Sequence, residues 1–184
     1  SPLARTTSEL AQPVTIINKD EISRSGASTL GQLLGDKPGV TQSSFARGAS
    51  RPVIRGLDNS RVRIQENGLG AHDVSAISED HGVPLDPSTA ERVEIIRGPA
   101  ALRYGSEAIG GLVSVINNRI PDKAPEGGFA AELETNTTTV DSGLMGRGAV
   151  DVGEGPFVFH LDAFARSADD YSTPQGTQAN SAAE

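Results

Sequence analysis

Five polar side chains between Gly68 and Asp86 are of the types that bind metal ions: His72, Asp73, Glu79, Asp80 and His81. Imidazole supplies nitrogen and carboxylates supply oxygen. Together they form a mixed donor set suited to Zn²⁺ or another borderline divalent ion, at about 2.0–2.2 Å. Adjacent residues seldom reach one ion from regular structure, but a loop can turn both inward. The same residues also fit a solvated acidic loop with two incidental histidines.

Little else in the chain offers chemistry. The remaining histidine, His160, alternates in phase with Asp162 and Arg166 and reads as a polar lining residue. There is no cysteine, so thiol catalysis and disulfides are excluded. The glycine-rich stretch from Gly98 to Gly111 lacks the Gly-Lys-Ser/Thr ending of a phosphate loop and the dinucleotide fingerprint. No Gly-x-Ser-x-Gly elbow and no His-Glu-x-x-His helix occurs. An enzyme is not expected, nor a catalytic cofactor. A net charge of −8 argues against nucleic acid.

The elements that must position the loop are short. Residues 1–13 read as a polar, extended lead-in. Val14–Ile17 is a strand, and a short helix capped by Asn18 or Asp20 ends at Gly26. Ser28 is expected to cap a second helix with Leu30, Leu33 and Leu34 as its buried stripe. Residues 40–51 read as irregular. Pro52–Gly56 and Arg61–Gln65 read as a hairpin with one apolar face and one wet, basic face. The loop from Gly68 to Asp86 follows, nineteen residues with little regular pattern. Asp86-Pro87 forms a capped turn. Val93–Ile96 and Leu112–Ile116 are apolar strands around the glycine bridge.

After Pro121 the pattern changes. A linker, 122–128, leads to three alternating segments: Phe129–Val140, Leu144–Val152 and Phe157–Arg166. Each is close to the roughly 9–11 residues of a tilted strand crossing an outer membrane. Three strands cannot close a barrel, and an open sheet leaves two bare edges. Residues 169–184 read as a polar loop. No apolar run is long enough for a membrane-spanning helix. No signal peptide is visible, so a signal in an exported protein would already have been removed.

Val53-Ile-Arg-Gly-Leu57 and the block Glu91-Arg-Val-Glu-Ile-Ile-Arg-Gly-Pro-Ala-Ala-Leu-Arg-Tyr-Gly-Ser-Glu-Ala-Ile-Gly-Gly-Leu-Val-Ser-Val-Ile-Asn117 closely resemble the plug domain of TonB-dependent outer-membrane receptors. Val14–Gly39 matches in the same order. The resemblance implies an α+β plug domain, 14–121, followed in 122–184 by a linker and the first antiparallel strands of a transmembrane β-barrel of about 22 strands. It implies the outer membrane of a Gram-negative bacterium. An upstream segment would pair with TonB, whose inner-membrane motor moves the plug. Arg55, Glu91, Arg92, Glu94 and Arg97 match charges that help dock the plug against the barrel wall. Ser78–Asp86 is similar to a plug loop of zinc-uptake receptors, in which Asp80 and His81 match a metal-binding pair. Against the family pattern, the chain stops after about three barrel strands, and the TonB-binding segment would lie upstream of Ser1.

Three functions compete. The leading expectation is uptake of a scarce metal ion, zinc first, as transported ligand. The alternative is a ferric siderophore, haem or cobalamin. The absence of aromatic and arginine residues from Gly68–Asp86 favours the small cation. The third is a soluble periplasmic metal-binding module.

Overall fold

The computed structural model describes residues 14–71, 74–78, 81–121, 123–174 and 176–178. The lead-in at 1–13 lies outside them, as do His72, Asp73, Glu79 and Asp80. The chain forms two compact units, 1–117 and 118–184.

In the first unit, β1 (Val14–Asn18) runs into α1 (Lys19–Ser25), which closes on Gly26 in the left-handed conformation, φ 59°. The cap of α2 (Leu30–Leu34) is Thr29, not Ser28. Thr29 has the extended backbone that a cap needs, and its Oγ1 accepts from Gln32 N at 3.3 Å. Ser28 instead donates through N and Oγ to Gln32 Oε1, at 3.0 and 2.9 Å. Leu30, Leu33 and Leu34 are buried as their spacing predicts.

The segment read as irregular is a hairpin. β2 (Val40–Ala46) pairs antiparallel with β3 (Ala49–Ile54), Val40 opposite Ile54. Most side chains of β2 are exposed, so no hydrophobic alternation marks it. Its ladder is main chain alone, which polar side chains do not prevent. The expected pairing of 52–56 with 61–65 is absent. Arg55 and Gly56 reverse the chain at φ 53° and 76°, and Ile54 and Leu57 exchange backbone bonds of 2.8 and 2.9 Å around them. Two successive left-handed residues make a tight turn of the primed kind, in which the glycine carries no strain. A single turn at Asn59–Arg61 then delivers β4 (Val62–Glu66) to a different sheet.

That sheet has five strands in the order β1-β6-β7-β4-β5, where β5 is Leu69–Gly70, β6 is Ala90–Ile96 and β7 is Gly111–Asn117. All neighbours are antiparallel except β4 and β7, which run parallel from Val62 opposite Gly111. Alternation sends Val93, Ile95, Val113 and Val115 to one face. There they meet Ile17, α2 and Ile54 in a single core. Each such aliphatic residue contributes about 1.5–3 kcal/mol when fully buried. On the opposite face the bridge 97–110 packs Ala101 and Ala108 against Leu112. That face is not uniformly wet: Gln65 is buried and donates to Ser114 Oγ at 3.1 Å.

The second unit is a meander. β8 (Phe129–Thr138), β9 (Gly143–Glu154) and β10 (Phe157–Ser167) pair antiparallel in the order β10-β9-β8. Gly155-Pro156 alone joins β9 to β10, with Glu154 opposite Phe157. The tail is not simply a loop: β11 (Tyr171–Thr173) pairs with β12 (Gly176–Gln178). It is too short for its period to show in sequence.

Candidate functional site

The loop singled out for metal binding is tethered at several points. Ala71 N donates to Ile64 O at 2.9 Å, at the end of the short β4–β5 hairpin. Residues 74–76 form one helical turn, capped off by Ile77 N and Ser78 N, both donating to Val74 O at 2.9 Å. Val83 and Leu85 pack on the core, and Asp86 Oδ1 accepts from Ser88 N at 2.8 Å, closing the turn that opens β6. Gly82 lies hard against the β2–β3 turn. A Cβ there would come 2.5 Å from Gly48 O, so only glycine lets the two backbones approach this closely.

His81 sits on this rim, exposed, with its backbone N donating to Ser78 O at 3.4 Å. The other four proposed ligands, His72, Asp73, Glu79 and Asp80, lie outside the described residues. Among the described residues no three His, Asp or Glu side chains converge on a metal position.

Four of the charges expected to dock the plug, Glu91, Arg92, Glu94 and Arg97, have partners within the first unit. Glu91 accepts from Lys19 Nζ at 2.7 Å, and Arg92 Nε lies 2.9 Å from Glu94 Oε1, two residues along the same strand face. Arg97 ends β6 by donating to Pro38 O and to Thr15 Oγ1, which ties β1 to the α2–β2 connection. Arg55 is thrown outward by its turn.

The three long strands carry two opposite faces. Phe129, Val152 and Phe159 share one cross-strand row, and Ala131, Val150 and Leu161 share another. This face is apolar and open: Leu133 is 82% exposed, Phe159 76% and Leu161 73%. The other face is polar and ordered. Arg147, only 5% exposed, pairs with Glu132 at 3.3 Å. His160 is held between two carboxylates, Nδ1 2.6 Å from Asp151 Oδ1 and Nε2 3.2 Å from Asp162 Oδ1. Asn118 Nδ2 donates to Asp151 Oδ2 at 3.4 Å, and Arg119 Nε lies 3.8 Å from Asp162 Oδ1. The alternation placed His160 beside Asp162. Asp151 joins them only through the β9–β10 register, and Asn118 and Arg119 only through tertiary packing.

A family model, the TonB-dependent receptor plug domain, matches residues 6–112. The vitamin B12 transporter BtuB of Vibrio vulnificus is 34% identical over 141 residues, covering 71% of this chain and 22% of that protein. The ferric-catecholate import receptor Fiu of E. coli K12 superposes with a TM-score of 0.67 at 24% identity, over 92% of this chain and 23% of Fiu. The siderophore receptor PirA of Pseudomonas aeruginosa gives 0.61 at 26%, over 85% and 28%. The chain therefore spans about a fifth of the curated relative's length and about a quarter of each solved receptor. The family model covers more than half of the chain, and the two units reproduce a plug followed by antiparallel wall strands; the chain belongs to the TonB-dependent receptor plug-domain family.

Proposed function

We propose that this chain is the plug and first wall strands of an outer-membrane transporter of a Gram-negative bacterium, one that imports a metal chelate of the siderophore or cobalamin type, driven by TonB. The observation that carries the membrane placement is the inverted polarity of β8–β10. Their apolar face, with Phe129, Leu133, Phe157, Phe159 and Leu161, is exposed, while their charged face is paired and ordered. A water-soluble sheet hides its apolar side, and an exposed patch of this kind marks a surface that meets lipid or a partner. This weighs against the soluble periplasmic module. No catalytic role is proposed, since the named relatives are transporters and receptors.

The cargo reading moves away from a bare zinc ion. The relatives are named for vitamin B12, ferric catecholate and siderophore, all larger than an ion. The reasoning that preferred a cation looked only inside Gly68–Asp86, which has no aromatic or arginine. Gly82 of that loop lies against Gly48 of the β2–β3 turn, and the residues just before Gly48 in the chain include Phe45 and Arg47, the types the loop itself lacks.

The test is uptake by cells expressing the full-length protein as their sole receptor, offered ferric catecholate, cobalamin or zinc. Accumulation of one chelate, lost when TonB is deleted, is expected. TonB-independent accumulation, or accumulation of zinc alone, would sink the proposal.

A further inference from the structure

Two segments of the first unit that expose apolar side chains are joined through a pair of glycines. The first segment is the end of β2. Ser44 lies opposite Ser50 and Ala46 opposite Ala49, so Phe45 is the extra residue of a β-bulge, and it stands 66% exposed. Bulges re-aim a side chain and recur beside functional sites. The second segment is the helical turn at 74–76 with the residue after it, where Val74 and Ile77 are 56% and 87% exposed. Exposed apolar groups on segments held together in this way mark a surface that meets a ligand or partner.

The join is main chain against main chain. A Cβ at Gly82 would come 2.5 Å from Gly48 O, about 0.9 Å short of ordinary contact at 3.4 Å. Gly82 has no left-handed φ, so alanine suits its own backbone and is barred only by the neighbouring turn. That turn is tied down. Ala46 and Ala49 are buried, Ser44 Oγ donates to Ala46 O at 2.9 Å, and Gln32 Nε2 of α2 donates to Arg47 O at 3.3 Å. A carbonyl held in such a turn cannot step aside as a flexible side chain can. A side chain at position 82 therefore pushes its own loop away from the turn.

We propose that Gly82 is a positioning residue for cargo. Its contact with Gly48 sets the spacing of Phe45 from Val74 and Ile77, and these three side chains form the apolar part of a rim that holds a bulky metal chelate by its apolar or aromatic periphery. The inference rests on the transport reading and names the surface that grips that cargo. A bare ion has no such periphery and gains nothing from the spacing.

The test is uptake of a ferric tris-catecholate and of cyanocobalamin, measured against chelate concentration in cells carrying the full-length protein as their sole receptor. The thermal midpoint of the purified receptor is measured alongside. Gly82→Ala is expected to raise the half-saturating concentration about three- to tenfold, and Gly82→Val further, since a site loosened by about 1 Å loses its contacts. Maximal rate and thermal midpoint are expected to hold, which separates positioning from a structural role that lowers all three together. Phe45→Ser is expected to raise half-saturation several-fold. Gly148→Ala on β9, where a Cβ meets nothing within 4 Å, is expected to leave uptake unchanged. Half-saturation unchanged in both Gly82 variants or in Phe45→Ser, or a maximal rate and midpoint that fall in step with it, would overturn the inference while transport stands. Accumulation of neither chelate by the wild-type receptor would remove the transport reading and this inference together.

Discussion

Arg97 shows how a single side chain can be assigned by its partners. Family resemblance makes it a docking charge for a barrel wall, yet its guanidinium donates to Pro38 O and Thr15 Oγ1 inside the plug. It joins three segments distant in sequence: edge strand β1, the α2–β2 connection and the end of β6. Charge-assisted bonds of this kind contribute about 1.5–3 kcal/mol. Arg97→Ala is therefore expected to lower plug stability by about 1–3 kcal/mol and to speed hydrogen exchange across Val14–Asn18. Both are measurable in the full-length receptor, by denaturation midpoint and by peptide-resolved exchange. Unchanged exchange with impaired transport would restore the docking role. Glu91 and the Arg92–Glu94 pair likewise have partners at hand, which docking would have to share or replace. Of the metal-loop residues, His81 is exposed on the rim beside Gly82.

At the scale of elements, two contacts decide behaviour. The helix α2 approaches β3 at Gly31, where a Cβ would overlap Ser50 Oγ and sit 2.8 Å from Arg51 N. The obstacle is backbone and a buried serine, which cannot step aside. Gly31→Ala is expected to cost about 1–3 kcal/mol despite alanine's better helix propensity. A stability gain in thermal unfolding would contradict the close packing. The barrel strands give a paired test. Leu161 stands mid-strand on the open apolar face, and its neighbour His160 on the polar one. Leu161→Arg is expected to cost about 2–4 kcal/mol if that face meets lipid near the bilayer midplane. It should reduce the folded, heat-modifiable fraction in outer-membrane preparations. His160→Arg, on the other face, should leave insertion intact. Equal effects would deny the lipid-facing assignment.

At the scale of the whole molecule, the chain combines a plug with its main apolar core on one face of the sheet and strands that expose their apolar side, the pairing on which the proposed transport role rests. Much of it was legible in sequence. The Leu30–Leu33–Leu34 stripe, the β6 and β7 strands and the alternation of β8–β10 follow from local spacing, because side-chain period 3.6 or 2 is a property of the backbone itself. The Arg-Gly-Pro to Gly-Gly block identified the family by the same local means. Tertiary structure alone decided which strands pair. Residues 52–56 and 61–65 are close in sequence and look like a hairpin, but Arg55-Gly56 turns the chain out of β3, and β4 joins β7 some fifty residues on. Nothing local distinguishes a strand that pairs with its neighbour from one that pairs far away, since both present the same alternation and differ only in where the backbone bonds go. The same holds for sites. The metal-loop residues were nominated by type and nearness in the chain. The His160 clamp joins side chains whose adjacency exists only after the strands have found their register.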